Sequence, residues 1–207
     1  MRTGFINNID NAFGQYAAFI GIVMAIFCSF FIGQEYSDGT IRNKIISGKK
    51  RTDIYLANFV TCTLVSVILC CGFFLMYLLA GIPLLGFFSI DIKVVFWLFL
   101  TVIFLAIAFS AIYTLIAMLS ANKAVTAVIC ILLAFLFLFF GMQLNQMLSQ
   151  PETVLGMTIE EGVQVSKEFP NPNYLSAEER KIVQFAYDFT PGGQVAQCVS
   201  MAVSYTH

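Results

Sequence analysis

The sequence predicts an all-α, polytopic α-helical membrane protein. It has four full transmembrane helices, a short cytoplasmic helix, an extracellular helical loop and the start of a further span. Three observations lead there. First, 59% of the 207 residues are hydrophobic and only 11% are charged, where a soluble domain carries about 25% charge. Mean hydropathy is +0.84, so the solvent for most of the chain is lipid. Second, the charges are absent from long runs at 12–33, 54–90, 94–119 and 124–142. One charge at mid-span costs about 2.5–3.5 kcal/mol, so charge-free runs of this length are not accidents of composition. Third, the charges that do occur leave one loop predominantly basic and another predominantly acidic. The formal net charge of −1 points to no nucleic acid and no bulk acidic partner.

In chain order, 1–11 is polar. The run 12–33 reaches roughly 33 Å as a helix, enough for one span. A basic loop, 34–53, follows. A second span covers about 54–80, with Gly81-Ile82-Pro83 as a breaker and Asp91 and Lys93 marking a turn. The third span is 94–119. A tight turn, 120–123, carries one Lys, and the Phe- and Leu-rich fourth span is 124–142. The loop 146–194 is acidic, with Glu152, Glu160, Glu161, Glu168, Glu178, Glu179 and Asp188 against Lys167, Arg180 and Lys181. Lys and Arg collect on the cytoplasmic side of membranes, so alternation puts 34–53 and 120–123 in the cytoplasm and 146–194 outside. Within that outer loop Ser176-Ala-Glu-Glu179 is a capping box. Ile182, Phe185, Ala186 and Phe189 follow at helical spacing and predict an amphipathic helix, lying on the outer mouth of the bundle or on lipid headgroups. Pro191-Gly192-Gly193 is expected to stop it. The apolar run 195–207 is too short to span.

The six cysteines have no CxxC or Cys/His pattern, and five of them (Cys28, Cys62, Cys70, Cys71 and Cys130) lie in apolar runs, where Cys acts as a small hydrophobe. The only His is His207. No catalytic set, metal cluster or GxxxxGK[ST] loop is present in the sequence, so no catalytic residue, cofactor or metal is expected. Gln15, Thr61, Thr63, Ser66, Tyr77, Thr101, Ser110, Tyr113 and Thr114 are the polar residues in the spans. They are expected to make interhelical hydrogen bonds more often than to line a path.

The most informative stretch is 34–53, QEYSDGTIRNKIISGKKRTD. It holds Arg42, Lys44, Lys49, Lys50 and Arg51 of the chain's 11 basic residues. Thr40 can cap a helix with its hydroxyl, and Gly48 can end it in a left-handed C-cap. The helix runs roughly 41–47, with Ile41 and Ile45 one turn apart on one face. Two isolated turns are not stable in water, so something must cover those isoleucines. The ordered string E-Y-x-x-G-T-I-R-N-K-I-I-S-G-x-x-R resembles the first cytoplasmic loop of ATP-binding cassette (ABC) transporter permeases of the type-2 exporter class. Glu35, Gly39, Thr40, Ile41, Arg42, Gly48 and Arg51 fall where that pattern has them.

The resemblance implies a coupling helix that docks into a groove on a separate ATP-hydrolysing subunit. Ile41 and Ile45 would be gripped, Arg42 and Lys44 would pair with acids at the rim, and Glu35 would orient the start of the loop. It implies a single permease domain over 1–207, an ABC ATP-binding subunit and a second permease copy as partners, and a non-enzymatic role in export from a bacterial plasma membrane. Pro191-Gly192-Gly193-Gln194 resembles the family's P-x-G-Q before a last span. Against six spans in the family, this chain reads as covering the middle of the permease. Two other readings stand beside it: a non-transporting anchor or sensor whose basic loop binds anionic lipid, and a passive channel.

Overall fold

The structure, a computed structural model, describes residues 9–85, 91–120, 122–160 and 163–204. The polar residues 1–8, residues 86–90 of the 81–93 turn and residues 205–207 of the short last run lie outside the described residues. The described residues form seven helices and one hairpin, in the order α1 (Ile9–Ser37), α2 (Thr40–Ile46), α3 (Arg51–Leu85), α4 (Ile92–Ser120), α5 (Lys123–Leu148), β1 (Thr153–Glu160), β2 (Val163–Pro170), α6 (Ala177–Phe189) and α7 (Pro191–Ser204). Among the described residues α1, α3, α4 and α5 are long and apolar enough to cross a membrane. The chain is a multi-pass membrane protein with an all-α membrane body.

Helix α1 is the centre of the bundle and packs against α3, α4, α5 and α7. Its buried side chains recur every three or four residues: Ala17, Ile20, Met24, Cys28 and Ile32. That spacing presents one face of a helix. Helix α4 answers with Val95, Leu98, Val102, Leu105, Phe109 and Tyr113. The ring of Phe109 stacks on Tyr113 at 5.5 Å and lies over Gly21, where an added Cβ would meet it at 3.0 Å. Helix α3 is mostly bare. Leu64, Ile68, Met76 and Leu79 are all more than half exposed, as lipid-facing side chains of an outer helix are.

Several elements differ from the expectation. Gly81-Ile82-Pro83 does not end α3, which continues to Leu85. Pro83 removes one helical donor, but it sits within the last turn, where little helix remains to be broken. Asp91 instead caps the next helix, its side chain accepting from the Lys93 N–H at 3.0 Å. The hydroxyls of Thr61, Ser66, Thr101 and Ser110 do not cross to neighbouring helices. They donate back to Ala57, Thr63, Trp97 and Ala106 carbonyls of their own helix, the local bonding available to Ser and Thr in helices.

The region after α5 adds an antiparallel hairpin with Val154 opposite Phe169 and Gly156 opposite Lys167. Among the described residues it packs on no other element. Its base is fastened by Asn171, whose amide donates to the Pro151 carbonyl at 2.9 Å and whose N–H donates to the Glu152 carbonyl at 3.0 Å. Helix α6 carries the expected capping box at Ser176 and Glu179. The Ser176 hydroxyl and N–H, both donating to the Glu179 carboxylate, hold that carboxyl below its usual range.

As expected, α6 stops at Phe189, just before Pro191-Gly192-Gly193, and these three residues begin α7 at once. Thr190 is the reason: its hydroxyl accepts from the Gly193 N–H at 3.2 Å, and Pro191 sits in the first turn, where its missing donor costs nothing. The glycines have a packing role. A Cβ on Gly192 would lie 1.9 Å from the Phe137 carbonyl oxygen, and one on Gly141 would lie 2.0 Å from the Gly192 oxygen. Helices α5 and α7 therefore approach backbone to backbone, as small residues allow in membranes. Gly141→Ala or Gly192→Ala is expected to destabilise by about 1–3 kcal/mol. Gly72→Ala, whose Cβ would meet nothing within 4 Å, is expected to be neutral or stabilising by up to about 1 kcal/mol. Thermal unfolding in detergent checks the contrast.

Candidate functional site

The site is built at the end of the bundle where α1 stops, α3 and α5 start and α4 stops. Helix α1 runs to Ser37, so only Asp38 and Gly39 connect it to α2. A reversal this short needs a residue in the left-handed region, and Gly39 supplies it at φ 70°. The expected Thr40 hydroxyl cap is therefore not made. Thr40 is already the first helical residue, Gly39 occupies the N-cap position, and no side chain caps α2. The other end follows expectation. Gly48 takes φ 84°, its N–H donates to the Ile45 carbonyl at 3.0 Å, and the Lys49 N–H donates to the Lys44 carbonyl at 3.1 Å. This paired closure satisfies the last carbonyls of α2.

One carboxylate holds the three elements together. Glu35, near the end of α1, accepts at one oxygen from the Lys44 ammonium of α2. At its other oxygen it accepts from the Asn58 amide of α3, at 2.9 Å. Asn58 is only 3% exposed. Charge-assisted bonds of this kind are the stronger ones. The neighbouring helices are tied in at the same level. The Tyr36 hydroxyl donates to the Met118 carbonyl of α4 at 2.8 Å. Lys123 of α5 donates to the Gln34 amide oxygen at 2.9 Å and lies 5.1 Å above the Phe30 ring. The loop 34–53 and the turn 120–123 thus share one end of the bundle.

The arrangement divides the predicted site residues. Ile41 and Ile45 do not form one outward face. Ile41 is 4% exposed and joins the core containing Ile54, because the clasp draws the first turn of α2 against the flanking helices. The chain itself covers it. Ile45 is 41% and Ile46 74% exposed, so the outward apolar pair is Ile45 and Ile46. Lys44 is taken by Glu35 and is not free for an acid on a partner. Arg42 and Arg51 are exposed. Arg51 lines a groove of about 510 Å³ together with Tyr36, Ile41, Ile45, Leu115 and Leu119. Glu35, Lys44, Ile41 and Arg51 converge around α2, whereas Gly39, Thr40 and Gly48 shape its ends and Arg42 points away.

Sequence reasoning missed Asn58 and Ile46. Asn58 carried a signal, a carboxamide inside an apolar run, and such groups are expensive in membranes unless paired. Ile46 carried none, since only the tilt of α2 decides which isoleucine is bare. What the arrangement offers is a short helix, braced from behind by Glu35 and Asn58 and showing Arg42, Ile45 and Ile46.

Residues 3–157, about three quarters of the chain, match the family described as ABC-2 family transporter protein. No curated protein and no solved structure matches the chain.

The clasp makes a direct expectation for α2. Hydrogen bonds to charged groups contribute about 1.5–3 kcal/mol, so Glu35→Gln is expected to speed amide exchange at 41–47 about tenfold or more. Gly48→Ala, which forces an L-residue into the left-handed region, costs roughly 1–2 kcal/mol and is expected to fray the same amides. Hydrogen exchange read by mass spectrometry checks both, with exchange in α4 unchanged.

Proposed function

From the premise that the chain belongs to the ABC-2 transporter family, we propose that it is the membrane-spanning subunit of an ATP-driven exporter and that α2 is its coupling helix. A separate ABC ATP-binding subunit would dock on α2, with Ile45 and Ile46 entering an apolar groove and Arg42 meeting acids at its rim. The observation that supports this best is the bracing of α2: Glu35 bonds Lys44 and Asn58 at once, so a push on α2 reaches α1 and α3 without being lost in a flexible loop. Nucleotide-driven closure of two cassettes would then shift the spans between two access states. A path through the membrane needs two permease copies, as a homodimer or a paired heterodimer. In this reading 1–207 is one permease domain, the α2 end is cytoplasmic and the hairpin end is outside. Catalysis belongs to the cassette subunit.

The exposed cations Arg42, Lys49, Lys50 and Arg51 also suit the reading in which the loop holds anionic lipid. One experiment separates the two. Ile45→Asp with Ile46→Asp is expected to abolish co-purification with the co-expressed ATP-binding subunit and its transport-coupled ATPase activity, in neutral and in anionic lipid alike. Retention of both activities in the variant would overturn the coupling assignment. Loss that appears only when anionic lipid is removed would favour the lipid-binding reading.

A further inference from the structure

Helix α6 divides its surface three ways, and one third is unaccounted for by the protein. The expected single apolar face of Ile182, Phe185, Ala186 and Phe189 is split. Ala186 packs with Val183 and Tyr187 against Leu144 and Leu148 of α5 and Ala196 of α7. Ile182, Phe185 and Phe189 are 71%, 68% and 79% exposed. They form a second apolar stripe at spacings of three and four residues, and the Phe185 and Phe189 rings stack at 5.7 Å. Lys181, Gln184 and Asp188 occupy the remaining sector and are exposed. Gln184 donates to Asp188 at 2.9 Å along that polar side.

The height of α6 is fixed. Arg180 donates to the Leu148 carbonyl at the end of α5, at 2.8 Å. The Tyr187 hydroxyl donates to Asn145, one turn earlier, also at 2.8 Å. The helix therefore lies level with the last turns of a membrane-spanning helix. At this level α5 itself shows Met142 and Met147, 65% and 43% exposed, beside exposed Gln143 and Gln146, the mixture expected where a span passes from acyl chains to headgroups. A helix with separate protein, apolar and polar sectors at that height fits a line where protein, lipid and water meet. The stripe is only three side chains wide, far less than the roughly 800 Å² per partner of a stable protein interface.

We propose that α6 is an interfacial helix. Ile182, Phe185 and Phe189 enter the boundary between headgroups and acyl chains of the leaflet at the C-terminal end of α5, and Lys181, Gln184 and Asp188 face water. The occupant of the stripe is the lipid surface. The inference rests on the membrane fold and not on the coupling role of α2. It has a consequence for the hairpin: with α5 and α6 both held at the membrane boundary, the β1–β2 segment between them is carried into water.

The test uses the full chain in lipid nanodiscs with Trp97→Phe, which removes the single native Trp. Phe185→Trp is then compared with Gln184→Trp in lipids brominated near the carbonyl end or near the methyl end of the acyl chains. Burial of an interfacial helix is about 5–10 Å deep, so Phe185→Trp emission is expected to fall about twofold with the shallow bromines and less with the deep ones. Gln184→Trp is expected to respond to neither. Ile182→Trp, expected to behave as Phe185→Trp, guards against a local packing defect. Emission from both stripe variants that ignores every bromolipid would overturn the proposal. If that emission is also blue-shifted, a second copy of the chain covers the stripe instead. Equal quenching at Gln184→Trp would overturn the three-way division.

Discussion

The Glu35 carboxylate is the constraint on which the α2 end of this molecule depends. A carboxylate at the edge of a membrane is costly to hold without partners, and here it has two, on different helices. Lys44 neutralises it and Asn58 donates to it. The same bonds solve the problem posed by α2, a seven-residue helix too short to persist alone in water. The burial of Ile41 adds the apolar half of the attachment. Without the clasp, two turns of helix between two glycines would be held chiefly by Ile41. With it, α1, α2 and α3 form one unit.

The other end of the bundle is held by different means. Where the α2 end relies on polar bonds, α5 and α7 rely on absence of side chains, Gly141 against Gly192. Lipid chains are as apolar as Leu, so helices in a membrane gain little by burying Leu and more by close packing and hydrogen bonds. The clasp at the α2 end is an instance of the second, and the α5–α7 contact of the first. Tyr187 and Arg180 then pin α6 over the last turns of α5. This leaves α3 and the outer faces of α4 and α5 with bare apolar side chains toward lipid.

How much of this the sequence disclosed depends on how local the cause was. The spans were legible because exclusion of charge acts residue by residue. The α6 capping box and the Gly48 closure were legible because each is written in four or five consecutive residues. The Thr40 cap failed because a tight turn from α1 consumed the residues that a cap would need. The hairpin was overlooked although Thr153–Glu160 and Val163–Pro170 have β-branched residues and a glycine-containing two-residue connection between them. A search tuned to helical periods passes over it. Pro191-Gly192-Gly193 was legible as the stop after α6, but its role as a contact surface was not, because glycine in either role looks the same in one dimension. The split of Ile41 from Ile45, and of Ala186 from Phe185, depends on helix tilt and so on tertiary packing.

The central claim is that α2 is carried rigidly by its neighbours. The most direct measurement is the distance between spin labels at Asn43 on α2 and Leu64 on α3, both exposed, in a cysteine-free background, by pulsed electron resonance. The account predicts one narrow distribution, unchanged when the ATP-binding subunit and nucleotide are added. A broad distribution, or one that shifts on adding them, would show α2 moving apart from α3 and would contradict it.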